Sequence, residues 1–283
     1  MNNGGRIYEL VMNTETEKEG VHEFWNENSC GEQLYLKSED KEGYAHQLEE
    51  RYRLEPFIPA FAEFSTSGGQ KVLEVGVGLG ADHQSFAQSG ANMHGVDLTE
   101  RAIDHTKKRF EILDLKSELR VGDAENLPFD ENQFDIVYSW GVLHHSPNTP
   151  KAIQEVLRVL KPGGSARVMI YYKYSLIGLM LWLRYGLMRL RPFMSLTEVY
   201  SKYLESPGTK AYTYGEAEKL FEGYEKIEID SVLTHGDLLA SDAGQRHKGP
   251  LLTFARKVWP RWFFKTFFPK NGLFLMIKAK KPQ

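Results

Sequence analysis

The stretch VLEVGVGLGADHQSF, residues 72–86, passes from a run of apolar residues straight into a cluster of glycines and on into a polar, helix-like pattern. A short strand that delivers Gly76, Gly78 and Gly80 to its carboxyl end is how an open α/β sheet begins a ligand site. Glycines there permit positive φ and let a ligand approach the backbone closely. The turn by itself leaves three readings open. Gly76, Gly78 and Ala81 match the spacing of a dinucleotide fingerprint, a different adenosine cofactor fits the same turn, and a tight turn that only packs helix on strand needs no ligand.

Outward from the turn, short apolar segments alternate with longer amphipathic ones. KVLEV, NMHGVD, LRVGD, FDIVYS and SARVMIYY read as strands, and the alternation predicts an α/β protein with a doubly wound, mostly parallel sheet. Between the last two strands Ile153, Val156, Leu157 and Leu160 recur at helical spacing, and KPGG is expected to stop that helix with a glycine in a left-handed cap. Upstream, residues 1–40 are polar and charged and read as a solvated entry segment. YAHQLEERYRLEPFIPAFAEF, residues 44–64, then predicts one or two short helices broken near Pro56. After Tyr172 the alternation stops for about forty residues, and KIEIDSVLTH and LFLMIKAKK resume strand character with the segment 236–271 between them. The expected division is an N-terminal polar segment and helical cap over 1–68, a cofactor-binding core over 69–172, and helical insertions with the last two strands over 173–283, all in one structural domain.

The charge balance narrows the partners. A net charge of −3 over 283 residues offers no general attraction for phosphate backbones and argues against wholesale nucleic-acid binding. The distribution is uneven, because no acidic residue follows Asp242 while Arg246, Lys248, Arg256, Lys257, Arg261, Lys265, Lys270, Lys278, Lys280 and Lys281 do. Cys30 is the single cysteine, so a disulfide frame and a thiolate metal site are both ruled out, and a reducing compartment is expected. MNNGGRIYEL lacks the basic-then-apolar order of a secretion signal, which makes the cytoplasm the expected location. The most apolar run, Leu176 to Met188, is interrupted by Arg184 and falls short of the ~20 residues that span a bilayer.

Three carboxylates then arbitrate between the readings of the turn. Glu74 stands two residues before the first glycine, where it would repel a diphosphate but suits a ligand with an ammonium group. Asp97, at the end of the second strand, can accept ribose hydroxyls in either kind of site. Asp123, just past the third strand, is placed to accept an adenine N6 proton while the Ala124 amide donates to a ring nitrogen. No residue is left over for a diphosphate.

VLEVGVGLG, GVDLT, GDAENLPF, FDIVYSWGVLHHS and VLRVLKPGG, in this order and spacing, resemble the class I S-adenosylmethionine-dependent methyltransferases, especially the subgroup around the ubiquinone and menaquinone methyltransferases. The resemblance covers residues 70–172. It implies a seven-stranded, Rossmann-like sheet whose last strand is antiparallel, S-adenosylmethionine as cofactor and S-adenosylhomocysteine as product. Carried over, it implies Gly76 and Gly78 beneath the methionine portion, Asp97 on both ribose hydroxyls, Leu98 on the adenine face, and Trp140 and Gly141 beside the methionine and sulfonium. The Trp140 indole would favour the sulfonium by a cation–π contact worth ~0.5 to 2 kcal/mol. Within the cap, Tyr44 is the candidate cover for the methionine carboxylate.

A sulfonium makes its methyl group electrophilic, so alignment of a nucleophile matters most, and a base is needed only for an acceptor that holds its proton. His145 is the favoured base, with neighbouring His144 pointing away from it and His235 a second candidate. No acidic or sulfur ligand accompanies the histidine pair, so no metal is expected. Acceptor choice should lie in the cap and the two insertions, pointing to a small, apolar or amphiphilic molecule. On the first insertion Leu176, Leu179, Trp182 and Leu183 share a face that suits burial, a greasy pocket or a membrane surface. FARKVWPRWFFKTFFPK interleaves cations and aromatics, which suits peripheral contact with lipid, an anionic amphiphile or, less well, nucleobases. The rival functions are an NAD-dependent oxidoreductase and a non-catalytic S-adenosylmethionine-binding protein.

Overall fold

A computed structural model describes residues 3–241 and 250–283. Four helices precede the sheet: α1 (Asn3–Glu27), α2 (Glu32–Tyr35), α3 (Lys41–Leu54) and α4 (Ile58–Ala62). The core follows as β1 (Lys71–Val75), α5 (Ala81–Gln88), β2 (Asn92–Asp97), α6 (Glu100–Ile112), β3 (Glu118–Val121), β4 (Phe134–Trp140), α7 (Thr149–Val159) and β5 (Leu160–Tyr171). Helices α8 (Leu176–Tyr185), α9 (Leu196–Tyr203) and α10 (Tyr214–Leu220) lead to β6 (Glu225–Val232). Helices α11 (Pro250–Val258) and α12 (Arg261–Phe267) lead to β7 (Phe274–Lys280).

The seven strands lie in the order β3-β2-β1-β4-β5-β7-β6, with β7 antiparallel to both its neighbours and every other pairing parallel. The order reverses between β1 and β4, so the crevice for a ligand opens at the carboxyl ends of those two strands. Alternate side chains of the central strands face opposite layers, which explains their nearly continuous apolar runs. Leu73, Val137, Val168 and Ile170 pack under Ile153 and Val156 of α7. Val72, Ile136 and Tyr138 pack on the other face with Phe86 of α5 and Ile58 and Phe61 of α4. Each such fully buried aliphatic or aromatic side chain stabilises the fold by about 1.5–3 kcal/mol.

Three local expectations fail for identifiable reasons. Residues 15–40 of the entry segment are not a solvated leader: the end of α1 lies over the core, where Lys18 pairs with Asp123 and the Arg101 amide donates to Asn26 Oδ1. KPGG does not cap α7, because the helix ends at Val159 and Leu160 is already extended and paired with Phe134; the positive φ falls later, at Gly163. The shared face of α8 divides, with Leu176 buried, Trp182 half-buried and Leu179 and Leu183 exposed. Arg246 and Lys248 of the basic segment lie outside the described residues.

One carboxylate fastens the two insertions to the sheet. Asp237 Oδ1 accepts the Ile177 amide of α8, and Oδ2 accepts the amides of Thr234 and Leu273 and the Thr234 hydroxyl, at 2.7–3.2 Å. Its carbonyl accepts the Trp259 indole N–H between α11 and α12. Burial pushes the Asp237 carboxyl up to about 6 against these donors.

Candidate functional site

A cavity of about 580 Å³ opens at the reversal point, floored by the β1 turn and roofed by α1, α3, α8 and α11. The turn is shaped by its glycines. Gly76 has φ 85°, and an added Cβ would collide with the Val142 side chain, so the strand end and the loop after β4 can touch only there. Gly78 has φ 51° and nothing within 4 Å of where a Cβ would stand, so its backbone faces open space.

Asp97 lines the same floor. Its Oδ2 accepts the Gly78 amide at 3.2 Å, and its Oδ1 accepts the amide and hydroxyl of Thr99 at 3.0 and 2.9 Å. Burial pushes its carboxyl up, while these donors oppose the shift. Glu74 is buried beneath the turn with an unforeseen partner, His83 Nδ1 at 2.9 Å. The Ser117 hydroxyl donates to the Met93 carbonyl, so His83 Nε2–H donates to Ser117 and Nδ1 is left as an acceptor. Burial raises Glu74 well above the carboxylate range and lowers His83 to about 3, so the pair is neutral and Glu74 carries the proton. An ammonium arriving at Glu74 would draw that proton off.

At one end Asp123, Ala124 and Leu98 line the cavity together. Asp123 does not await an adenine with both oxygens open, because Lys18 holds Oδ2 at 2.6 Å and the Glu125 amide holds Oδ1 at 2.9 Å. A purine amino group would have to share or displace the lysine. In the middle, Trp140 is packed edge-on against Phe61 and Phe274 with one face toward Phe57, and it lines the cavity beside Gly141.

Tyr44 lies elsewhere. It is fully buried between α3 and α6 under the Arg109 guanidinium, whose Nη2 donates to the Tyr44 carbonyl at 3.1 Å, and it forms no part of the cavity wall. What α3 and its C-cap contribute instead is Arg51 and Glu55, four residues apart, a spacing already visible in the sequence. Arg51 makes a bidentate pair with Asp82 at 2.9 and 2.6 Å, and Asp82 also accepts the hydroxyls of Tyr52 and Tyr138. This clamp fixes α3 over α5. Burial pushes the Glu55 carboxyl up to about 7 despite the Arg51 guanidinium 3.5 Å away.

His145 lines the cavity and His144 does not. His144 is fully buried with neither ring nitrogen hydrogen-bonded, 3.9 Å from the Tyr171 ring centre, and burial pushes its pKa well below the usual value, so it is a neutral packing group. His145 Nδ1 sits 2.8 Å from the Ser206 hydroxyl and 3.1 Å from that of Thr209. Its Nε2 is 3.4 Å from Glu205, which accepts the Tyr171 hydroxyl at 2.6 Å. His235 also reaches the wall, with Nδ1 2.6 Å from the Ser241 hydroxyl and a pKa lowered by burial. Beyond these polar groups the walls are Ile177, Met180, Leu181 and Leu252. Arg51, Glu55, Tyr171 and Glu205 escaped sequence reading because a buried ion pair and a strand-end tyrosine carry no motif.

Residues 73–168 match a family model described as a methyltransferase domain. The chain is 42% identical over 98 residues to the phthiotriol/phenolphthiotriol dimycocerosates methyltransferase of Mycobacterium leprae, covering 34% of this chain and 36% of that protein. It is 32% identical over 118 residues to phosphoethanolamine N-methyltransferase 2 of Caenorhabditis elegans, covering 41% and 26%. The matched segment therefore spans about a third of the first relative's length and about a quarter of the second's. Among solved structures, Haemonchus contortus phosphoethanolamine N-methyltransferase 2 in complex with S-adenosyl-L-methionine shares the fold, with a TM-score of 0.59 and 18% identity over 93% of this chain and 60% of that one.

Proposed function

We infer, from a core that is a class I S-adenosylmethionine-dependent methyltransferase domain, that the chain moves a methyl group from S-adenosylmethionine to a small apolar or amphiphilic acceptor in the cytoplasm. One observation carries the reading: a single cavity runs from Asp123, Asp97 and Gly78, past Trp140, to His145 and on to an aliphatic lobe. In that cavity Asp97 would hold the ribose, Glu74 the ammonium and Trp140 the sulfonium, with His145 on the wall beyond them. The N-terminal helices 1–68 act as cap, residues 69–172 as the cofactor core, and 173–283 as the acceptor walls. When bound, the cofactor supplies the electrophilic methyl group. The chain orients both partners and excludes water.

His145 is the proposed base. The Thr209 hydroxyl donates to the Ser206 carbonyl at 2.7 Å, so it offers Nδ1 a lone pair and favours the tautomer with the proton on Nδ1. Nε2 is then free to take a proton from an acceptor hydroxyl, and Glu205 stabilises the imidazolium that results. Titration calorimetry with S-adenosylmethionine, S-adenosylhomocysteine and NAD tests the cofactor reading. Binding of the first two and indifference to NAD is expected; the reverse pattern favours an oxidoreductase and ends the proposal. Binding without turnover over a panel of phenols, sterols and amino-alcohols would instead describe a non-catalytic binder.

A further inference from the structure

Twelve of the fourteen large hydrophobic side chains exposed among the described residues fall between Tyr174 and Phe268. They form two adjoining patches. One is on α8 and the turn after it, with Leu179, Leu183, Leu187, Met188, Leu190 and Phe193; the other is on α11 and α12, with Val258, Trp262, Phe263, Phe267 and Phe268. The patches are tied edge to edge, since Leu176 donates its amide to the Asn271 carbonyl and Asn271 Nδ2 donates to the Tyr174 carbonyl. Inward anchors orient the second patch. Trp259 and Arg261 bind carbonyls at 237–239, which turns Trp262, Phe263 and Phe267 outward.

The charge within the two segments that carry these patches has one sign. Residues 173–197 and 243–283 contain no Asp or Glu, while Arg184, Arg189, Arg191, Lys257 and Lys265 stand among the apolar groups; at the edge, Lys270 pairs with Asp230 at 3.3 Å. Leu183 and Met188 are both exposed and part of the cavity wall, so the cavity opens through the patch itself.

We propose that this rim docks on an anionic lipid surface, so that an amphiphilic acceptor enters the cavity directly from the bilayer. A basic apolar face partitions into the headgroup boundary by burying its greasy side chains while its cations meet anionic lipid. A second copy of the chain fits poorly, because a self-complementary contact would set the arginines and lysines of these acid-free segments against each other. Single-stranded nucleic acid fits poorly too, since the first patch is aliphatic except for Phe193 and gives bases little to stack on. The delivery of acceptor rests on the methyl-transfer reading. The docking does not, and it is measured separately.

The full chain is sedimented with vesicles of phosphatidylcholine alone and of phosphatidylcholine mixed with phosphatidylglycerol. Preferential binding to the mixed vesicles, weakened by added salt, is expected. Leu190 and Phe193 are 91% and 99% exposed, so L190S/F193S leaves the core intact, and so does K257E/K265E at two exposed lysines. Each pair should lower vesicle binding by at least about tenfold while S-adenosylmethionine binding is unchanged in calorimetry. Equal pelleting with both vesicle types, or unaltered binding by both variants, overturns the proposal. So does a dimer in light scattering that L190S/F193S abolishes, or displacement of the patch from vesicles by stoichiometric single-stranded DNA. Loss of vesicle binding with retained turnover on soluble acceptors would separate docking from catalysis.

Discussion

The two ends of the cavity are built by different means. The end beneath the β1 turn is made of backbone amides and short carboxylates at strand ends, positioned by the parallel ladder and by glycines that accept no side chain. The far end is made of long aliphatic and aromatic side chains on helices inserted outside the ladder. The first can recognise a polar ligand of fixed shape. The second excludes water and offers volume, so on the proposed function the cofactor belongs to one end and choice of acceptor to the other.

The largest test of this contrast lies where the ends meet. His145→Ala should reduce turnover by about 10²–10⁴-fold with cofactor affinity unchanged, as general-base removal does. Steady-state rates paired with calorimetry give both numbers, and unimpaired turnover would move the base elsewhere or remove the need for one. Next in size, Asp97→Ala should weaken S-adenosylmethionine binding by about a hundredfold if two charge-assisted hydrogen bonds to the ribose are lost. A loss of severalfold only would detach Asp97 from the ribose.

A smaller effect concerns Glu55. With its folded pKa raised to about 7 by burial, the carboxyl is protonated at pH 6 and ionised at pH 8. Affinity for the cationic S-adenosylmethionine should therefore rise by about three- to tenfold between those values, while that for the neutral sulfide product changes little. Glu55→Gln should flatten the first curve. The same shift has a stability sign: the folded chain holds this proton more tightly than the unfolded one, so the contribution is full below the ordinary carboxyl pKa and is lost as pH rises through about 7. The smallest effect belongs to the cover over Asp123. Lys18→Ala should change cofactor affinity by no more than about fivefold, upward if the lysine competes with adenine, since a partly exposed ion pair is worth little.

The sheet was largely legible because strand-to-helix alternation, the glycine turn and the strand-end aspartates are local signals that survive without tertiary information. Glu74, Asp97, Asp123 and Trp140 stand at strand ends that the sequence pattern places side by side, and the structure gathers them on one cavity. Their partners were not. Nothing in the chain announces that His83 meets Glu74 or that Lys18 reaches Asp123 from 105 residues away. Tyr44 shows the limit of reading a helix by composition: an aromatic suited to cover a ligand is instead the platform for a buried arginine. KPGG shows another limit, because pairing of Leu160 with β4 outweighs the capping preference of the glycines that follow.

The grip of Asp237 on α8, β6, β7 and the α11–α12 junction bears on how new acceptor preferences could arise or be engineered. Both inserted walls share one knot, so a chimaera that grafts either wall alone leaves donors of the other facing an absent carboxylate. Transplanting them as a unit, with Thr234 and Asp237 included, is the exchange the architecture permits.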